Sequence, residues 1–273
     1  MSSKSPNVAG TFYPKNPKIL SKMIDDFLES AKKDSVKIPG KIRGIIVPHA
    51  GYIYSGAVAA YGFLALQKEV EKHFSEKNRI VLLAPSHFFP FSGGMAADFD
   101  AFETPLGKIP AHNILDDLSE KSHSIKLGND AYEEEHALEV EIPFLQKICA
   151  NTSAQILPVL LGDAHPEDIA LDLEHFTNGE NTYFVVSSDL SHYHPEHIAR
   201  EKDLAFCEAA QNGDFETVSC GEACGIIGIL SLMDLAQKRN WKTRCLKYEN
   251  SALTSGDFSR VVGYGAFAFY ETA

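Results

Sequence analysis

Three short apolar runs, at residues 45–47, 80–83 and 183–186, each lead directly into a segment that carries histidine. Their branched and aromatic side chains, uninterrupted by polar residues, are typical of buried parallel strands. The segments that follow them are Pro48-His49-Ala50-Gly51-Tyr52, Pro85-Ser86-His87 and Ser187-Ser188-Asp189-Leu190-Ser191-His192-Tyr193. Because ligands bind outside the carboxyl ends of parallel strands, the pattern predicts that these side chains meet at one rim of a sheet.

Strand and helix patterns alternate along the rest of the chain, which predicts an α/β fold with a mostly parallel central sheet flanked by helices. We expect Ser55 to cap a helix, Pro143 to kink or end a helix at residues 131–148, and Pro158 to break a strand at residues 155–161. No repeat or linker divides the sequence, so residues 1–273 are expected to form a single layered domain.

Composition restricts the classes of function. Apolar residues make up 44% of the 273 residues, which suffices for a core without a metal or disulfide. The net charge of −12 argues against binding nucleic acid or anionic membranes. The five cysteines show no CxxC spacing, and the sequence contains neither an apolar signal region nor a membrane-length stretch. We therefore expect a cytoplasmic protein without disulfides.

His49 and His87 are the strongest candidate metal ligands, because each directly follows a predicted strand. The alternative is that both make structural hydrogen bonds at loop starts. Asp189 and His192 are three residues apart, the spacing of one helical turn, so Asp189 could orient a ligand histidine while His192 serves as ligand or acid/base. In the competing interpretation Asp189 caps a helix and His192 is exposed.

Two further segments carry groups that could take part in chemistry. His136 and Glu139 would share one face of the predicted helix at residues 131–148, and residues 133–135 resemble a solvated helix start. Cys224 precedes an apolar helix, where a thiolate is stabilised for metal binding or nucleophilic attack, although a lone cysteine is more often a small buried apolar residue. The sequence has no dinucleotide-binding, Walker A or GxSxG motif.

The chain resembles the Memo family in its prokaryotic branch, AmmeMemoRadiSam system protein B. The resemblance spans nearly the whole length. The segments that carry it are Val8-Ala9-Gly10-Thr11-Phe12-Tyr13-Pro14, Pro48-His49-Ala50-Gly51-Tyr52, Ala84-Pro85-Ser86-His87, Glu103-Thr104-Pro105-Leu106-Gly107, Glu135-His136-Ala137-Leu138-Glu139-Val140, Ser187-Ser188-Asp189, Ala223-Cys224-Gly225 and Val261-Val262-Gly263-Tyr264.

This resemblance implies a fold similar to LigB-type class III extradiol dioxygenases, with a cysteine in place of the carboxylate ligand. It implies a mononuclear metal, Fe(II) or copper with zinc also admissible, held by His49, His87 and Cys224. His136, Asp189 and His192 are then the other polar groups of the pocket, with candidate catalytic roles.

Three functions follow as hypotheses. The first is a metal-binding protein with a redox or oxygen-linked role. If it turns over a small-molecule or peptide ligand, it would be a dioxygenase-like oxidoreductase. The second, implied by the resemblance, is a non-enzymatic module that binds a peptide or acts with an AMMECR-type protein and a radical SAM enzyme. The third is a metal-independent hydrolase that uses Cys224 and His192.

Overall fold

The computed structural model of the protein describes residues 2–73, 77–114, 124–178 and 181–272. The strands within these ranges are β1 (Ser3–Lys4), β2 (Lys41–Val47), β3 (Lys77–Pro85), β4 (Gly94–Ala96), β5 (Ala101–Thr104), β6 (Gly107–Pro110), β7 (Ile125–Leu127), β8 (Ser153–Leu161), β9 (Thr182–Ser187), β10 (His192–His194), β11 (Lys242–Asn250) and β12 (Val261–Glu271). The α-helices are α1 (Pro17–Asp34), α2 (Tyr52–Val70), α3 (Ile142–Ile148), α4 (Pro166–Glu174), α5 (Glu196–Asn212), α6 (Phe215–Ser219), α7 (Ile226–Lys238) and α8 (Ala252–Ser255).

One large sheet organises the fold. Its strand order among the described residues is β10-β12-β2-β9-β3-β8-β4-β7, with β11 also paired to β12. The four central strands β2, β9, β3 and β8 are parallel. On one side β12 pairs with β2, and on the other β4 pairs with β8, both in antiparallel orientation. The predicted α/β fold with parallel central strands is therefore confirmed. A smaller sheet has the order β1-β5-β6.

The central strands are apolar throughout because both faces of the sheet are covered. Along β3, Ile80 and Leu82 belong to one buried cluster, while Val81 and Leu83 belong to the other. Helices α1, α2 and α3 pack on the first face, and α4 and α7 pack on the second. Successive strand side chains point to opposite faces, so each face receives alternate members of one apolar run.

The predicted helix at residues 131–148 is wrong over its first half. Two short 3-10 turns, Asp130–Tyr132 and Glu139–Glu141, precede α3, which begins only at Ile142. The side chain of Glu135 accepts hydrogen bonds from the next two backbone N–H groups, which holds this stretch in an irregular conformation. Pro143 neither kinks nor ends a helix; it lies in the first turn of α3, where a missing N–H removes no helical hydrogen bond.

Two local predictions about strand and helix boundaries are also wrong. Helix α2 begins at Tyr52 rather than at Ser55, whose hydroxyl donates to the Ala50 carbonyl from within the helix. Strand β8 continues through Pro158. The Pro158 carbonyl faces β4 and accepts a hydrogen bond from the Ala97 N–H. The N–H and C=O of a strand residue point to the same side, so the N–H that proline lacks would also face this side, just beyond the end of β4. The pairing of β8 with β3 therefore loses no hydrogen bond at Pro158.

Within the described ranges, no helix combines the length and the apolar character that crossing a membrane requires.

Candidate metal centre

Three side chains converge at the carboxyl ends of the parallel strands. His49 follows β2, His87 follows β3, and Cys224 lies in the loop before α7. One candidate ligand atom from each lies within 4.8 Å of those from the other two. The Sγ atom of Cys224 is 3.3 Å from Nε2 of His49, and the two imidazole rings have centroids 5.3 Å apart. The sequence expectation that these strands deliver their histidines to one rim therefore agrees with the geometry.

Each imidazole is oriented through its Nδ1 atom. Nδ1 of His49 lies 2.8 Å from the hydroxyl of Ser187, and Nδ1 of His87 lies 3.0 Å from a carboxylate oxygen of Glu135. A proton on Nδ1 satisfies both contacts and leaves the lone pair on Nε2, which is the usual arrangement in histidines that ligate metals. Burial, followed by electrostatic repulsion from His87 and His136, holds the pKa of His49 well below its usual value, so the ring is neutral at neutral pH.

Glu135 is the carboxylate that orients this site, although the sequence placed it in a solvated helix start. Its side chain is buried. It accepts from Nδ1 of both His87 and His136 and from the backbone N–H groups of His87, His136 and Ala137. Burial raises the pKa of the Glu135 carboxyl, but these hydrogen bonds outweigh burial and the net pKa is lowered. An ionised carboxylate therefore supports the His87 ring.

Hydrogen-bond accounting around Ser187 assigns the protonation state of a second buried acid. The Ser187 hydroxyl lies 2.7 Å from the Ala137 carbonyl, 2.7 Å from Oε1 of Glu141 and 2.8 Å from Nδ1 of His49. The single hydroxyl proton can serve only one acceptor, and a carbonyl can only accept. All three contacts are satisfied when Ser187 donates to Ala137 and both His49 and a protonated Glu141 donate to Ser187.

Burial acts on Glu141 in the same direction. The side chain is fully buried, and its Oε2 has no hydrogen-bond partner within the described part of the chain. Burial raises the pKa of the Glu141 carboxyl well above its usual value, and the charge of Asp189 adds to this. Glu141 is thus a neutral carboxylic acid that holds the His49 ring through Ser187.

His136 lies beside the two candidate ligand histidines, but Glu139 does not accompany it. The His136 ring stacks on His87 with centroids 5.0 Å apart, and it meets His49 edge-on at 5.6 Å. Glu139 instead accepts from the Tyr13 hydroxyl and from backbone N–H groups of the N-terminal segment. His87, Glu135 and His136 form a second candidate metal-binding group, but the hydrogen bonds that Glu135 accepts favour an orienting role.

Asp189 contacts the site through the backbone, which corrects the expected contact with a ligand ring. Its Oδ1 accepts from the His49 N–H at 2.9 Å, and its own N–H donates to Sγ of Cys224 at 3.2 Å. Burial raises the pKa of Asp189 to about 7, against the backbone hydrogen bonds from His49 and Ala50. His192 begins β10 rather than a helical turn, so the helical relation between Asp189 and His192, like the capping alternative, is wrong.

A buried carboxylate on α5 holds the segment from Asp189 to His192 in place through hydrogen bonds. The backbone N–H and the hydroxyl of Ser191 donate to the Asp203 carboxylate at 3.0 and 2.9 Å. Gly263 of β12 permits this approach, because a Cβ atom there would lie 1.8 Å from Oδ2 of Asp203. Partial burial lowers the pKa of His192, which leaves this imidazole mainly neutral at neutral pH beside the cluster.

The thiol of Cys224 differs from the sequence expectation in its ionisation. Burial, followed by the negative charge of Asp189, raises the pKa of Cys224 to about 12 in the metal-free protein. The expected stabilisation of a thiolate by the start of α7 is therefore outweighed. A neutral thiol is a weak nucleophile, which argues against the metal-independent hydrolase.

The sheet and the cluster together define an α/β protein with a candidate metal centre at the carboxyl ends of its parallel strands. Residues 4–268 match the sequence profile of the family described as Memo-like protein. The chain is 34% identical to a MEMO1 family protein of Aquifex aeolicus, over 98% of this chain and 100% of that protein. It is 33% identical to a MEMO1 family protein of Desulfurococcus amylolyticus, over 99% of this chain and 100% of that protein. It is 32% identical to a MEMO1 family protein of Thermotoga maritima, over 96% of this chain and 97% of that protein. The chain belongs to the Memo family, which confirms the resemblance.

Proposed function

We propose that this protein binds one transition-metal ion through His49, His87 and Cys224 and uses it in a redox or oxygen-linked role. The observation that carries the proposal is the convergence of three ligand atoms within 4.8 Å of one another. The donor chemistry fits a metal ion, because both imidazoles are held through Nδ1 and the thiol lies against Nε2 of His49.

The donor set restricts the identity of the ion. Two imidazoles and a thiolate form a softer site than the two-histidine, one-carboxylate set of non-haem iron oxygenases. Iron and copper suit such donors and would supply one-electron or oxygen-linked chemistry when bound, and zinc also suits them. We favour iron or copper.

The surrounding residues would hold and exchange protons in this proposal. Nδ1 of His136 is occupied by Glu135, so Nε2 is the atom available to a ligand in the pocket. His192 is another imidazole beside the cluster, and partial burial lowers its pKa. Asp189 fixes the backbone at His49 and contacts Cys224, so it would act by positioning both ligands.

Metal content tests the proposal directly. Protein purified anaerobically without a histidine tag should contain about one equivalent of iron or copper, with a thiolate-to-metal absorption band. The variant His49→Ala with Cys224→Ser should lose the metal and the band while its circular dichroism stays that of folded protein. The matched control, His197→Ala with Cys220→Ser, changes exposed residues outside the cluster and should keep both. Stoichiometric metal in the first variant would refute the assignment.

The binding-module alternative concerns partners and remains a prediction. Two exposed aromatic side chains, Phe88 and Tyr193, lie next in sequence to His87 and His192 and offer contact area near the pocket. Pull-down with AMMECR-type and radical SAM proteins, with and without metal, would test it. Binding that survives loss of His49 and Cys224 would separate a partner role from the metal site.

A further inference from the structure

A cavity adjoins the metal cluster at Cys224 and Ser187. Its volume is about 240 Å³, and the described residues that line it include neither His49 nor His87. It lies over the carboxyl ends of β3, β8 and β9 and against the first turn of α7. This is the edge of a parallel sheet at which ligands ordinarily bind, so the cavity has the location of a ligand site.

The lining is mainly apolar. Its large side chains come from three strands, one loop and one helix, and they are Leu83, Phe89, Phe91, Leu161, Val186 and Ile227. Phe89 is 39% exposed and marks the side on which the cavity opens to solvent. Pockets that bind small molecules have this character, with an apolar wall and few polar groups.

The charge of the lining restricts the ligand further. Among the described residues that line the cavity, Asp163 and Cys224 are the ionisable ones. Asp163 is exposed, and Cys224 is partly buried. Since the described residues that line the cavity include no cationic side chain, the cavity is unsuited to a phosphate or carboxylate. It suits an uncharged molecule.

The volume fixes the size of that molecule. An apolar protein cavity of about 150 Å³ holds one benzene molecule. A cavity of about 240 Å³ therefore has room for a single ring with a short substituent. One end of such a molecule would lie at the sulfur of Cys224, and its body would lie between β3 and α7.

We propose that this cavity binds a compact, uncharged, mainly apolar molecule of the size of a substituted aromatic ring, with one end against Cys224. The inference deepens the proposed function, because the ligand would lie beside the metal held by Cys224. The cavity itself needs no metal, so the two proposals can fail separately.

The test uses 4-fluorobenzyl alcohol as a probe, observed by fluorine NMR with the full-length metal-free protein. We expect saturable binding that the variant Ile227→Trp weakens by roughly tenfold or more, because the indole occupies the cavity. The matched control is Ile226→Trp, which places the same side chain one residue earlier, outside the cavity lining. This control should bind as the wild type does.

A second pair of variants avoids the risk that Ile227→Trp does not fold. Phe89→Ala removes a partly exposed wall of the cavity and should weaken binding, whereas Phe258→Ala removes an exposed phenyl group elsewhere and should not. Absence of saturable binding, or equal effects within both pairs of variants, would overturn the proposal.

Co(II) loading separates this proposal from the metal assignment. When the probe lies against Cys224, adding it should shift the thiolate-to-cobalt absorption band of the loaded protein. Probe binding in a protein that takes up no cobalt would support the cavity and count against the metal site. Cobalt uptake with no probe binding would overturn the cavity alone.

Discussion

Replacement of Glu141 by glutamine should stabilise the metal-free protein increasingly as pH rises. Glu141 is fully buried, and its Oε2 has no hydrogen-bond partner among the described residues. Glutamine has the same shape and cannot ionise. Its amide NH₂ can donate to Ser187 as the protonated carboxyl does, so the substitution removes the titration and keeps the contact.

The magnitude follows from proton linkage. In the unfolded chain a glutamate ionises near pH 4.3, whereas folded Glu141 keeps its proton because burial raises its pKa. Above about pH 4.3 the folded state therefore binds one more proton than the unfolded state, and stability falls with pH by about 1.4 kcal/mol per unit. This loss continues until the pH reaches the folded pKa. Below that limit, the advantage of Glu141→Gln grows by about 2.7 kcal/mol over two pH units.

Urea unfolding of the metal-free proteins at pH 6, 7 and 8 measures this difference. The control variant Glu134→Gln removes an exposed carboxyl from the same segment. Its free energy of unfolding should change with pH in parallel with that of the wild type. The infrared carbonyl band of a protonated carboxylic acid should also disappear in Glu141→Gln. If the stability difference between Glu141→Gln and wild type is constant with pH, the assignment of a neutral Glu141 is refuted.

Three further predictions test the orientation, the packing and the thiol of the site. Glu135→Gln should lower metal affinity about 10–100-fold in competition with a chelator, because the ring of a ligand histidine loses its carboxylate partner; unchanged affinity would contradict this role. Gly263→Ala should reduce the free energy of unfolding in urea by about 1–3 kcal/mol, because its Cβ would lie 1.8 Å from a buried carboxylate oxygen, and an unchanged midpoint would refute the steric argument. Iodoacetamide should label the exposed Cys220 well before the partly buried Cys224 in metal-free protein, as mass spectrometry of peptides can show; equal rates would exclude a raised pKa of the Cys224 thiol.

The sequence predicts those parts of the site that depend on strand direction. His49 and His87 could be assigned to one rim because each follows an apolar run that is typical of a parallel strand covered on both faces. Cys224 could not be placed in the same way. It lies in a loop before a helix, and its approach to His49 depends on how α7 packs on the sheet, so its assignment came from the family resemblance.

Sequence patterns alone do not identify the roles of Ser187 and Glu135, and the physical reasons differ. Ser187 directly follows the apolar run at residues 183–186, and this position was a usable signal for a side chain at the rim. Glu135 carries no local signal, because it lies in an acidic run that local rules assign to solvent. Its burial results from contacts with His87, a residue 48 positions away in the chain.

Glu135, Glu139 and Glu141 show why local composition cannot determine the charge state of this segment. The three side chains are buried within seven residues of one another, yet each has a different partner from a distant part of the fold. Glu135 is ionised and orients His87; Glu139 binds the Tyr13 hydroxyl; Glu141 is neutral and supports His49 through Ser187. Burial disfavours ionisation of Glu135 and of Glu141, so the N–H donors that reach each carboxyl decide between a charged and a neutral state. N–H donors from His87 and His136 reach Glu135, which is therefore an anion. The contact of Glu141 is with the Ser187 hydroxyl, which accepts from it, so the same residue type is there a neutral acid.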